Sequence, residues 1–347
     1  MLQRDLGIYL AQAEIALVDA MRQIDRNGKG ILFITDADGH LMGSLTDGDI
    51  RRCIIRTGNL QKKAADAMLT GTRYVTLQSV EDPYEYMDSF KIHAIPVLDG
   101  EGRVVDIVFS DEEENGENTD LKGVPVVIMA GGQGTRLYPY TRILPKALIP
   151  IKGKTISEHI IDSFAAFGSE EYWFVLNHKK NMIKAYFTEE PHKGTIQYVE
   201  ESKALGTGGG VRLLHGKIKD TFILTNCDIL IRDNLGKIYR HHKERGNQIT
   251  MVCSMKEYTL PYGVVHTEEG GGIRSMEEKP RMSYLVNTGC YIVEPEVIDR
   301  IPENTEIGFP DVIEKLRLSG EKVGIYPISE KAWLDMGELE LLEKALV

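Results

Sequence analysis

The chain has 347 residues and a net charge of −11, from 41 Lys and Arg against 52 Asp and Glu. A length of this order implies two or three domains, each with its own core. The acidic balance argues against partners such as nucleic acid or an anionic membrane. No run approaches the ~18 apolar residues of a membrane span, and Met1-Leu2-Gln3-Arg4-Asp5 has no secretory apolar segment, so a cytoplasmic location is expected. The four cysteines, Cys53, Cys227, Cys253 and Cys290, form no C-x-x-C pair, so neither a disulfide framework nor a structural zinc is expected.

The first hundred residues contain a weak repeat. Residues 31–35 and 94–98 are apolar runs closed by Asp/Gly turns, and a second apolar run follows each, at 41–45 and 104–109. Apolar residues at helical spacing precede each copy: Ile15, Val18, Met21 and Ile24, then Tyr84, Met87 and Phe90. Each copy reads as helix, strand, turn, strand, helix. Residues 111–120 then carry six acidic residues and no large apolar one, which predicts a linker. The chain divides there into domains 1–115 and 124–347.

Beyond the linker, 124–130 is an apolar run that suits a strand buried on both faces. Further runs stand at 171–176, 221–225, 249–254 and 289–293, with helical patterns at 156–167 and 235–245 between them. Strands alternating with helices predict an α/β sheet covered on both faces, with ligands at the carboxyl ends of its strands. His241 and His242 read as a solvated helix face.

The first buried run ends in Ala130-Gly131-Gly132-Gln133-Gly134-Thr135-Arg136. Glycines without Cβ atoms let backbone N–H groups approach an anion. The segment is neither a Walker A loop nor a G-x-G-x-x-G dinucleotide loop. Arg136 adds a donor fork suited to phosphate, and Lys146 follows ten residues later. Glycine loop, Arg and Lys in that order favour a polyphosphate.

The whole run from Gly131 to Lys146, GGQGTRLYPYTRILPK, resembles the signature of the sugar-1-phosphate nucleotidyltransferases. The resemblance implies a Rossmann-like mixed sheet in an α/β domain. It assigns Gly131, Gly132, Gly134 and Thr135 to the nucleotide, and Arg136 and Lys146 to its phosphates as catalytic cations. It makes Asp228, in TNCDIL, and Asp335, in AWLDMG, ligands of Mg²⁺. Read without it, Asp228 is better explained by a strand-ending turn, and Asp335 with Glu338 by a helix cap. Glu278 and Lys279 in EEKP, Asn287 in VNTG and Gly263 correspond to sugar-phosphate contacts, and Gly206 and Thr207 in LGTGG to the segment that meets the base.

The repeat resembles a CBS domain pair, an α+β module. Thr46 and Asp49, in GSLTDGD, match the residues that hold phosphate and ribose of an adenine or guanine nucleotide. In the second copy Asp106, Phe109 and Glu112 take the corresponding places, so at most one such site is expected. The pair is expected to regulate the enzyme or only to join it into a homo-oligomer, a dimer first of all.

Together these readings predict a sugar-1-phosphate guanylyltransferase. It would transfer GMP from GTP to a hexosamine- or heptose-1-phosphate for bacterial surface glycans and release pyrophosphate. The alternatives are a uridylyl-, thymidylyl- or cytidylyltransferase on the same scaffold, and an inactive nucleotide sensor. Every catalytic motif lies in 124–347, so that part alone is expected to suffice for catalysis.

Overall fold

The structure is a computed structural model that describes residues 6–77, 83–110 and 119–337. It forms two compact units: Met1–Asn115 with Met255–Val286, and Gly116–Ser254 with Asn287–Val347.

In the first unit the chain repeats a topology. Strand Leu10–Gln12, helix Leu17–Asn27 and strands Ile31–Thr35 and Leu41–Thr46 are followed by helix Asp47–Thr57. Strand Val75–Thr76, helix Pro83–Phe90 and strands Ala94–Leu98 and Val104–Phe109 repeat that order. In both copies the first strand runs parallel to the second and the third antiparallel, with a register slip at Ile34/Thr35 and again at Val97/Leu98. Helix Leu17–Asn27 forms because Leu17, Val18, Ala20, Met21 and Ile24 share one buried face, and Gly28 closes it in the left-handed conformation. The helix expected to close the second copy, and most of the acidic run, lie outside the described residues.

Residues 255–286, which the sequence groups with 124–347, cluster in this unit. Met255 is buried in the core of the first copy with Leu17, Met21 and Ile54, and Leu285 packs against that core. Arg22 pairs with Glu257 at 3.2 Å. Between them stands a hairpin of strands Gly263–Thr267 and Ile273–Glu278.

The second unit is a mixed α/β fold on a seven-stranded sheet. Its strands run in the order Thr195–Glu200, Glu171–Leu176, Val126–Ala130, Phe222–Asn226, Arg281–Val293, Ile249–Thr259, Val323–Ile328. The first four are mutually parallel, and Arg281–Val293 is antiparallel to Phe222–Asn226. Strand Val126–Ala130 is buried along its whole length because the pleat serves two cores. Val126, Ile128 and Ala130 face helices Ile156–Ala165 and Lys180–Glu189, while Val127 and Met129 face Val211, Val297 and helix Phe309–Leu318. Each Val, Ile or Met of this strand stabilises the fold by ~1.5–3 kcal/mol through burial alone. The following parallel strands lie on opposite sides of Val126–Ala130, so a crevice is expected at its carboxyl end.

His242 corrects the expectation of a solvated helix face. It is fully buried, with Nδ1 2.8 Å from Thr250 Oγ1 and Nε2 3.2 Å from Glu294 Oε1. The Glu294 carboxylate can only accept, so Nε2–H donates to it, and in the neutral ring Nδ1 accepts the Thr250 hydroxyl proton while Thr250 Oγ1 accepts from Asn247. His241 packs its ring edge-on against Tyr326, 5.3 Å between centroids.

Candidate active site

The glycine segment leaves the central strand at Ala130 and turns into a short helix, Thr135–Leu137. Gly134 has φ +67°, and a Cβ there would lie 2.9 Å from the Thr141 methyl and 3.2 Å from Lys146 Cβ. Thr141, itself buried, donates its hydroxyl to Gly134 O at 2.8 Å. Lys179 donates to the carbonyls of Thr141 and Arg142, at 2.8 and 2.7 Å. The loop, the turn that follows it and Lys146 are thus clipped into one piece. Gly132 meets nothing within 4 Å of its Cβ position, so no packing demands a glycine there.

Asp228 follows strand Phe222–Asn226, and Asp335 ends strand Trp333–Asp335. An antiparallel pair, Ile229 opposite Asp335 through Ile231 opposite Trp333, brings the two carboxylates together. Met336 N–H donates to Asp228 O at 2.8 Å and Gly337 N–H to Asp335 Oδ1 at 2.8 Å. Lys146 Nζ donates to Asp228 Oδ2, and Arg136 stands 3.9 Å from the same oxygen. One point summarises the arrangement. The Cβ that Gly337 lacks would lie 2.5 Å from Asp228 Oδ2, 2.8 Å from Asp335 Oδ1 and 2.7 Å from Lys146 Nζ. Two carboxylate oxygens and an ammonium converge where only a glycine leaves room. Two hard oxygen donors brought this close together suit a divalent cation such as Mg²⁺. Glu338, the partner in the alternative cap reading, lies outside the described residues.

Sequence reasoning missed Glu201. Its carboxylate is buried against Gly131 and Gly210, whose Cβ positions would lie 2.9 and 2.8 Å from its oxygens. Asn177 donates to it at 3.1 Å. Burial pushes the Glu201 carboxyl above its usual range, against the lowering effect of the bonds from Asn177 and from Leu205 N–H. Only the glycines of its neighbours gave a sequence signal, and they come from separate segments.

Gly206 and Thr207, expected at the base, are held by the backbone. Gly206 has φ +73°, and its Cβ would lie 2.6 Å from Ile307 O; those of Gly208 and Gly209 would lie 2.9 Å from Gly308 O and 2.3 Å from Thr305 O. Thr207 Oγ1 accepts the Phe309 N–H at 3.0 Å. The glycines of this segment are therefore required by its approach to residues 305–308. Asn287 accepts from Gly289 N–H at 2.9 Å and donates to the Tyr291 hydroxyl at 2.7 Å.

The remaining sugar-side residues belong to the first unit. Gly263 pairs with Glu278, whose carboxylate lies 2.9 Å from the glycine's Cβ position, and Lys279 follows with φ +48°. In the same unit Thr46 and Asp49 bond each other. Asp49 N–H donates to Thr46 Oγ1 at 3.2 Å, and Thr46 N–H and hydroxyl donate to Asp49 Oδ2 at 2.9 and 2.6 Å, a capping box for helix Asp47–Thr57. Arg52 adds an ion pair at 2.5 Å. In the second copy Phe109 is buried, its ring 5.0 Å from that of Tyr9 and beneath Lys29, while Glu112 lies outside the described residues. Asp36, Asp38 and His40 also gather on the first repeat's turn, and hydrogen bonds of that turn account for them.

Residues 125–346 match the family profile described as Nucleotidyl transferase. A mannose-1-phosphate guanylyltransferase of Mycobacterium tuberculosis is 31% identical over 222 residues, covering 62% of this chain and 62% of the relative. A UTP–glucose-1-phosphate uridylyltransferase of Synechocystis is 32% identical over 234 residues, covering 61% and 60%. The chain thus spans about three fifths of the length of these curated relatives. Among solved structures, HddC from Yersinia pseudotuberculosis complexed with GMP-PN superposes with a TM-score of 0.50 at 22% identity, covering 64% of this chain and 98% of that one, a likeness of fold.

Proposed function

The chain belongs to the nucleotidyl transferase family, and we propose that it joins a sugar-1-phosphate to a nucleoside monophosphate drawn from a triphosphate, GTP by preference. The observation that carries this reading is the convergence of Lys146, Asp228 and Asp335 on the gap at Gly337, with the glycine loop fastened beside it. A sugar-phosphate oxygen attacks the α-phosphorus, and the bond to the β-phosphate oxygen breaks as pyrophosphate leaves. The nucleophile is already an anion, so no proton need be removed. The difficulty is to bring polyanions together and to stabilise the leaving group. The N–H groups of residues 131–135 orient the triphosphate, and Arg136 and Lys146 offset its charge. The resemblance assigns Glu278 to the sugar hydroxyls and Lys279 to the sugar phosphate, and makes Gly263 and Asn287 further sugar contacts. Mg²⁺ on Asp228 and Asp335 would supply further charge neutralisation when bound.

If the base is assigned to Glu201, guanine is favoured. A carboxylate offers only acceptors, with lone pairs left after Asn177 and Leu205 are satisfied. The Watson–Crick edge of guanine presents two adjacent donors, and that of uracil or thymine presents one. The relatives' names include both guanylyl and uridylyl transfer, so base choice is settled by assay. The test is pyrophosphate release from each of four triphosphates with a panel of hexosamine-, heptose- and mannose-1-phosphates. GTP should lead, and Glu201→Gln should lower the GTP-to-UTP ratio of kcat/KM by about tenfold. An unchanged ratio removes Glu201 from base choice, and no turnover with any pair removes the reaction. The product would feed bacterial surface glycan synthesis in the cytoplasm.

The repeated topology of the first unit supports the reading as a CBS pair that binds one adenine or guanine nucleotide at Thr46 and Asp49 and joins copies of the chain. The aromatic packing around Phe109 argues against an equivalent site in the second copy. Calorimetry of the full chain with AMP and ADP should show heat that Asp49→Ala removes. No heat leaves the pair as a joining module.

A further inference from the structure

Resting on the transferase reading, we propose that Lys146 is an exchangeable counter-ion. Its ammonium holds Asp228 in place of a divalent cation, and the two-aspartate site accepts that cation strongly only when a polyphosphate draws Lys146 away.

Lys146 Nζ and Asp228 Oδ2 are bonded, and both side chains are only about a tenth exposed, at 11% and 10%. The Cβ position of Gly337 lies 2.5 and 2.8 Å from the two carboxylate oxygens and 2.7 Å from the ammonium, so the three groups crowd against the same backbone carbon. A divalent cation held by both carboxylates would therefore lie close to the ammonium that Asp228 already holds. Two carboxylates and one ammonium face the ion with one net negative charge; with the ammonium withdrawn they face it with two. Arg136, 3.9 Å from the same oxygen and 66% exposed, reduces the attraction further. Away from water such charges are weakly screened.

The lysine also has a second place to go. Its Cβ lies 3.2 Å from the Cβ position of Gly134, so the side chain is rooted beside the loop assigned to the triphosphate. Rotation of the side chain exchanges the carboxylate for a phosphate oxygen without moving the backbone. Metal and polyphosphate then favour each other's binding, and by linkage the effect is reciprocal. Ammonium release, rather than a new backbone arrangement, couples the two ligands.

The experiment measures Mn²⁺ binding to the full chain, without nucleotide, by the electron-spin-resonance signal of the free ion. Wild type should bind weakly, and Lys146→Met should bind at least about tenfold more tightly. Asp228→Asn in the Lys146→Met background should abolish the gain. Equal or weaker binding by Lys146→Met overturns the proposal. A measurement on wild type covers the case in which the variant fails to fold. Saturating Mg²⁺ should raise acylation of Lys146, read by mass spectrometry, several-fold, and no rise overturns the proposal too. Tighter Mn²⁺ binding in a protein that transfers no nucleotide would reject the reaction and keep the exchange. Turnover in wild type without the gain in Lys146→Met would do the reverse.

Discussion

At the scale of single residues, Asp335 separates a metal ligand from a structural cap. Its Oδ1 already accepts the Gly337 amide at 2.8 Å, a bond that the Asn side-chain oxygen can also make. Asp335→Asn should therefore keep the melting temperature and lose turnover by ~10²-fold or more, because one negative ligand is gone. Near-normal turnover would return Asp335 to the role of a cap. His242 gives a prediction on stability. Burial lowers its pKa from 6.5 to about 4, so the folded chain keeps it neutral. Below pH 6.5 the unfolded chain takes up a proton that the folded chain refuses. Stability should fall as pH drops from about 6.5 to about 4, by ~3 kcal/mol from this residue. Denaturant titrations at both pH values check this. His242→Gln should be less stable at neutral pH but lose less across that window; an equal loss would mean that other groups carry the slope. The aspartates were legible because each sits in a contiguous motif. Glu201 and His242 were not, since the partners that bury them come from distant segments.

At the scale of elements, two glycine segments that look alike in sequence differ in what they need. Gly209 lies against backbone, its Cβ position 2.3 Å from Thr305 O, whereas that of Gly132 is open. Gly209→Ala must displace residues 305–308, so its first effect should be a loss of stability of ~1–3 kcal/mol, read by thermal or urea unfolding. Gly132→Ala should unfold like wild type. If the loop cradles a phosphate by its N–H groups, the added methyl instead raises KM for the triphosphate. Unchanged kinetics in Gly132→Ala would mean that the ligand does not approach that carbon. The sequence showed where the glycines were and that they followed apolar runs. It could not show which were fixed by neighbouring backbone, because residues 305–308 carry no pattern that points back to residues 206–209. The strands were read where apolar runs were continuous, as at Val126–Ala130. Thr195–Glu200 carries no continuous apolar run because its sheet position is at the edge, where polar residues are tolerated.

At the scale of the whole molecule, the linear motifs and the compact units divide the chain differently. All the family motifs lie after the acidic run, which makes 124–347 look self-sufficient. Yet residues 255–286, with Gly263, Glu278 and Lys279 among them, cluster with 1–115. Met255 is buried among Leu17, Met21 and Ile54, and Glu257 pairs with Arg22. This association escaped the sequence reading because a single Met and a single Glu in a polar hairpin carry no periodic signal. Removing residues 1–118 would uncover Met255 and Leu285 and release the ion pair. The partly buried ion pair adds a modest contribution, and lost burial at Met255 costs ~2 kcal/mol or more and leaves an apolar face on the fragment. The fragment should therefore be less soluble, and protease should cut first within 255–286, as read by limited proteolysis and mass spectrometry. In kinetics, KM for the sugar-1-phosphate should rise more than KM for the triphosphate, because the loop of residues 131–135 and Lys146 stays within the second unit. A fragment with both KM values unchanged and 255–286 protected would show that this segment holds its conformation without the repeats.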